Sequence, residues 1–173
     1  MNRIMLAAAV FLASPPAFAQ VITIPPTMED FRSPRPPHGH GVSPALAIEA
    51  ALAACDAQGA KVTALMVDSE DIPIALISAD GGVLTERLAA SKARIAVKTG
   101  MSSAQAAERA KIDPAFLAQL MADPYMSTPF SGALPVTMGG ASAGAFAVGG
   151  GSVAGQDEAC AKAGLAKIQD RLR

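Results

Sequence analysis

Two closely spaced pairs of β-rich runs constrain this chain more than any other feature. Lys61 to Asp68 and Ile72 to Ser78 are separated only by the turn residues Ser69-Glu70-Asp71. Leu134 to Met138 and Ala143 to Val148 flank Gly139-Gly140, whose glycines allow the positive φ of a tight hairpin turn. Consecutive hairpins imply an antiparallel sheet, and Pro73 near the start of the second run suits an edge strand.

Helical segments surround these hairpins. Ser43 is an N-cap candidate with Pro44 at the first helical position, followed by Ala-rich turns to Gln58 and a stop at Gly59. Asp80-Gly81-Gly82 breaks the sheet, after which Thr85 to Thr99 carries helical residues and ends at Gly100. Ser103 is placed to cap a short helix through Lys111, and Asp113-Pro114 opens another that ends near Ala122. The closing helix is expected from Gln156 to Leu172, with Asp157 and Glu158 in the first turn, where the helix dipole favours negative charge. The order is α-β-β-α-α-α-β-β-α, an α+β class (mixed α/β) with a central antiparallel sheet flanked by helices in a single domain.

Arg3, the apolar stretch Ile4 to Ala13 and the small-x-small site Ala17-Phe18-Ala19 read as a secretory signal over residues 1–19, cut before Gln20. That apolar stretch is shorter than the roughly 20 residues that cross a bilayer. Residues 20–42 hold Pro25, Pro26, Pro34, Pro36 and Pro37, a composition that favours an extended arm. The domain then occupies 43–173. A periplasmic or secreted location is expected, and the two are not separable from the sequence.

Removing Arg3 takes the formal charge from −1 to −2, which leaves no basic excess for nucleic acid or an acidic membrane surface. Trp is absent and aromatics make up 4% of the chain, so the core must be built from small aliphatic residues that let helices approach closely. Cys55 and Cys160 form an even count in a chain routed to an oxidising compartment, which points to a disulfide. Two separate buried thiols are the alternative, because sequence does not place their Cα atoms within bridging distance.

No P-loop, dinucleotide fingerprint, HExxH or zinc-spaced cysteine pair is present. The two histidines, His38 and His40, lie in the proline-rich arm. They are metal or haem-iron ligand candidates, or else incidental residues of a solvated linker. Gly149-Gly150-Gly151-Ser152 leads from a strand towards a helix, where N–H groups can hold a carboxylate or phosphate. A bare backbone requirement would select the same glycines. Lys92 and Arg94 offer cations for a ligand's acid groups, unless they are only a solvated face.

Taken in order, these segments resemble the GlcG/HbpS family, also described as haem-degrading-type domains and similar to the C-terminal domain of some corrinoid adenosyltransferases. The resemblance runs from Ser43 to Leu172. It rests on Val67-Asp68 ending a strand, the turn Asp80-Gly81, Lys92-Ala93 in a helix, and Gly100 followed by Ser102-Ser103. It continues through Leu134-Pro135-Val136, the glycine-rich run Gly144 to Gly151, Asp157-Glu158 and Ala163-Gly164-Leu165. Membership implies a central antiparallel sheet, homo-oligomers, and haem or iron binding in some exported members. The chain departs from the family pattern at Ser69-Glu70-Asp71, at Ile95 and at Gly139-Gly140-Ala141-Ser142.

The 43–173 domain holds no histidine, so a bound haem iron would take Tyr125, a Met such as Met101 or Met126, or an arm histidine. The leading expectation is an exported module holding haem or a related planar acid, with a protective, storage or sensing role. Lys92, Arg94, Tyr125 and Gly149 to Ser152 would surround the ligand. Two alternatives stand beside it. One is an enzyme acting on a small carboxylate or on haem, with Asp68 or Asp157 as acid or base; the other is a structural or chaperone-like homo-oligomer.

Overall fold

The computed structural model describes residues 43–79, 85–127 and 129–172. The signal, the arm with His38 and His40, and the Asp80-Gly81-Gly82 break lie outside the described residues.

The elements are α1 (Pro44–Asp56), β1 (Thr63–Val67), β2 (Pro73–Ser78), α2 (Thr85–Thr99), α3 (Ser103–Ile112), α4 (Pro114–Met121), β3 (Ala133–Met138), β4 (Ala141–Gly149) and α5 (Gln156–Ala166). This is the α+β order expected from the sequence. The strands form one antiparallel sheet in the order β2-β1-β4-β3, so the proline-bearing β2 and β3 are its edges.

Several ends differ from the sequence expectation. Ser43 holds the N-cap position of α1, but its side chain makes no capping bond. The cap of α3 is Ser102, which forms a reciprocal capping box with Gln105. Ser103 is instead buried, and its Oγ accepts a hydrogen bond from the Ala133 N–H at 2.9 Å. The closing helix stops at Ala166, and a short 3₁₀ turn at Gln169–Arg171 follows. That tightening leaves Ile168 fully buried in the core.

Alternation along the strands divides the core in two. On one face Ala64, Met66, Phe146 and Val148 pack with Ile48, Ala51 and Ala161 of α1 and α5. On the other Leu65, Val67, Ala145 and Ala147 pack with Ala89, Ala93 and Ala96 of α2. A third cluster, Ile95 with Ala106, Phe116 and Leu120, seats α3 and α4 against α2. Ile95 is therefore a core residue, which accounts for an apolar side chain at that position.

Helices α1 and α5 lie side by side at very short range. A Cβ on Gly164 would stand 2.5 Å from the Ala47 carbonyl oxygen and 2.7 Å from Cε1 of Phe146. Nothing larger than hydrogen fits there. The same pair of helices is joined by the Cys55–Cys160 disulfide, with Cα atoms 5.6 Å apart.

The bridge links residues 105 apart in sequence, so removing it frees a long loop in the unfolded chain. Urea denaturation of the Cys55→Ser, Cys160→Ser variant is expected to show a loss of about 4 kcal/mol. Equal unfolding free energies for variant and oxidised protein would mean that the bridge does not restrict the unfolded state.

Candidate functional site

The candidate residues of the sequence fall into two separate places. Lys92 and the glycine turn meet at one. Arg94 and Tyr125 meet at the other.

Lys92 is buried on the inner side of α2. Its Nζ donates to Asp157 Oδ2 at 2.5 Å and to the Val148 carbonyl at 3.2 Å. The other carboxylate oxygen of Asp157 accepts the Gly151 N–H at 2.7 Å. Gln156 Oε1 accepts the N–H groups of Ser152 at 3.1 Å and Val153 at 3.4 Å. The turn's N–H groups at 151 to 153 are thus held by the first two residues of α5. A Cβ on Gly149 would stand 2.5 Å from the backbone nitrogen of Ala89, so that glycine is what lets α2 lie against the end of β4. Asp68 is likewise engaged locally: its Oδ1 accepts from the N–H groups of Glu70 and Ile72, each at 2.9 Å. Neither Asp68 nor Asp157 has an idle carboxylate.

The second place is an open cleft of about 470 Å³ between β1–β2, α2 and the segment after α4. Helical spacing explains the α2 wall: Arg87, Ser91 and Arg94 stand at i, i+4 and i+7 and share one face. Leu65, Val67, Pro73, Leu88 and Met126 supply apolar surface.

Arg94 holds the two lips of this cleft together. Its Nη1 donates to Asp71 Oδ2 at 2.6 Å and its Nε to Asp123 Oδ2 at 2.7 Å. Asp71 is in the left-handed region at φ 65°, which Asp tolerates better than most residues. The β1–β2 turn thereby supplies one of Arg94's partners. On the other lip, Asp123 Oδ1 accepts the Tyr125 N–H at 3.0 Å, and the guanidinium lies 5.4 Å from the Tyr125 ring centroid. Ser91 Oγ adds a bond from the Ser127 N–H at 2.8 Å.

Burial pushes the Asp71 carboxyl up from its ordinary value, and this outweighs the pull of Arg94. The Tyr125 N–H, followed by Arg94, pulls Asp123 down. Hydrogen bonds to Asp123 and then Asp71 raise Arg94 further, so it stays a cation.

Sequence reasoning missed Arg87. Its side chain is exposed, lines the cleft and has no ion pair among the described residues, unlike Arg94 and Lys92. The available signal was its spacing to Arg94 on one helix face. Tyr125 is 75% exposed at the same cleft. Of the two methionines considered as iron ligands, Met126 lines this cleft and Met101 lines a neighbouring cavity. Among the described residues no cluster of three or more His, Cys, Asp or Glu could hold a metal ion.

A family model described as haem degrading protein HbpS-like matches residues 45–166. No functionally curated protein matches the chain significantly. Among solved structures, a doubly substituted HbpS from Streptomyces reticuli is 25% identical, with a TM-score of 0.64 over 93% of this chain and 97% of that one. A PduOC–haem complex is 20% identical, with a TM-score of 0.63 over 72% of this chain and 90% of that one. The Klebsiella pneumoniae protein ORFY is also 20% identical, with a TM-score of 0.62 over 74% and 90%. At 20% identity the last two establish the fold alone.

Asp157→Ala strands the buried Lys92 ammonium and is expected to cost about 3–5 kcal/mol, whereas Lys92→Met combined with Asp157→Leu should cost much less. Denaturation curves check this, and a single variant as stable as the double would remove the pair from the account. For the clamp, the native state holds the Asp71 proton more tightly than the unfolded chain does. Its contribution to stability therefore falls as pH rises from the unfolded towards the folded value. Asp123 has the opposite sign, and its contribution is lost as pH falls through its depressed folded value. A carboxyl-carbon NMR titration should place the Asp71 midpoint above that of a peptide Asp and Asp123 below it; the reverse order would contradict this assignment of causes.

Proposed function

This chain belongs to the HbpS-like haem-degrading-protein family, and from that premise we propose that it binds haem, or a related planar acid, in the cleft between α2, β1–β2 and the segment at Tyr125. The observation that carries this reading is the meeting in one apolar cleft of Arg87, a cation without an ion pair among the described residues, and an exposed phenol, Tyr125. The residues fit the group. Leu65, Val67, Pro73, Leu88 and Met126 offer apolar surface to a flat ring system, and a cleft of about 470 Å³ falls within the ordinary range for small-molecule sites. Arg87 is positioned to pair with one carboxylate, and Tyr125 or Met126 with the iron. Bound haem would supply a redox-active iron.

Arg94 serves a different purpose in this reading. Already held by two carboxylates, it positions the Tyr125 segment rather than pairing with the ligand. PduOC has been crystallised with haem, and its fold is the one found here.

The role proposed is protective, in storage or in sensing, by an exported protein. The Cys55–Cys160 bridge supports a periplasmic or secreted location, because such bridges persist in oxidising compartments. Self-association is supported by the unpaired edge β2 with its neighbour Ile72, where Ile72, Ile74, Leu76 and Ile77 are 42–58% exposed.

Hemin titration followed by visible absorbance tests the reading. A saturable shift of the Soret band is expected, with a Kd raised roughly tenfold in Arg87→Gln, the loss of one charge-assisted contact, and an altered spectrum in Tyr125→Phe. A response no different from that of an unrelated protein would overturn the proposal. Loss of the shift in a His38→Ala, His40→Ala variant, with Tyr125→Phe unaffected, would move the iron ligand to the arm.

A further inference from the structure

A second cavity, about 430 Å³ in volume, lies beyond the clamp, between the last turn of α2, α3 and α4. It shares Met126 with the cleft, and Asp123, one of Arg94's two partners, lies on its lining. Its floor is Phe116 and Leu120, which are 6% and 4% exposed, and its walls include the half-buried Met101 and Met126. Thioethers adapt to flat apolar guests and make favourable contacts with aromatic rings.

The lining also carries two cations. Lys98 is exposed and has no ion pair among the described residues. Arg109 bonds Asp113 through Nε at 3.2 Å and Nη2 at 3.1 Å, while its guanidinium lies 4.2 Å from the Phe116 ring centroid. The carboxylate on this lining, Asp123, is taken by Arg94. The exposed cation beside the apolar floor is therefore the Lys98 ammonium, which feels Asp71 and Asp123 at a distance but bonds neither.

We propose that this cavity is a second ligand site, independent of haem binding, that takes a small aromatic carboxylate: the ring against Phe116 and the methionines, the acid on Lys98. Lys98 stands 11 residues beyond Arg87 on the same helix, about 16 Å along its axis. One stripe of α2 thus presents a ligand-facing cation on either side of Arg94.

The probe is 1-naphthoate, titrated into the full protein and followed by amide NMR. Saturating shifts centred on Met101 and Leu120 are expected, with the affinity reduced roughly tenfold in Lys98→Gln and restored in Lys98→Arg. The same ring without the charge, 1-naphthylmethanol, should bind the native protein as weakly as naphthoate binds Lys98→Gln. Three results would each overturn the site: no saturable shift at residues 98–126, shifts confined to the first cleft, or equal affinity in Lys98→Gln. Because Lys98 is exposed, its replacements leave the core untouched.

Discussion

An alanine-on-alanine interface sets the height of α2 above the sheet, and the site follows from that height. Ala89, Ala93 and Ala96 meet Ala133, Ala145 and Ala147, with Leu65 and Val67 of β1 the larger side chains of the cluster. Gly149 removes the last obstacle where α2 passes the end of β4. Dense packing of small residues gives up apolar area per residue but gains rigidity and close approach. On the same helix Arg87, Ser91 and Arg94 line the first cleft and Lys98 the second cavity. The opposite face is built differently, with Phe146 filling the space between α1 and α5 and a disulfide closing it. One face is locked by the disulfide; the cleft and the second cavity lie against α2 on the other.

The charges on α2 divide according to what surrounds them. Lys92 points inward, where an ammonium without a counter-charge would be costly, and Asp157 supplies that counter-charge while also holding the glycine turn. Arg94, at the rim, has a fork that satisfies two carboxylates from different loops at once, a geometry a lysine could not reproduce. Among the described residues Arg87 and Lys98 form no ion pair. Cations held by the protein's own carboxylates organise structure, and it is on Arg87 and Lys98 that the two proposed sites draw.

The sequence made the order of elements legible because the signals that set it are local. Thr85 to Thr99 runs to a glycine stop at Gly100, where φ is 67°, and both ends lie where the residues indicate. Gly139 and Gly140, with φ values of 57° and 83°, make the expected hairpin turn. The cap of α3 was off by one because Ser102 and Ser103 are adjacent and equally suited in type. Gln105, three residues after Ser102, was the distinguishing signal. The candidate site was less legible. Lys92 and Gly149 to Gly151 stand out in sequence, yet what they contact is fixed by Asp157, whose pairing with Lys92 spans 65 residues. No local pattern reports such a partner.

The same limit explains why Arg87 is inconspicuous. An arginine on an amphipathic helix face is locally identical whether it is solvated, paired or poised over a cleft, and only the positions of carboxylates from other segments distinguish the cases. Asp71 and Asp123 reach Arg94 from the β1–β2 turn and from the end of α4, and neither comes within bonding distance of Arg87 or Lys98. Their placement gives the middle of the stripe two carboxylates for one cation, a balance that Lys98 offsets from a distance, while Arg87 stands apart from both. In a chain with a formal net charge of −1, two such loci on one helix are set by the loops that hold Arg94 rather than by the overall balance of charge.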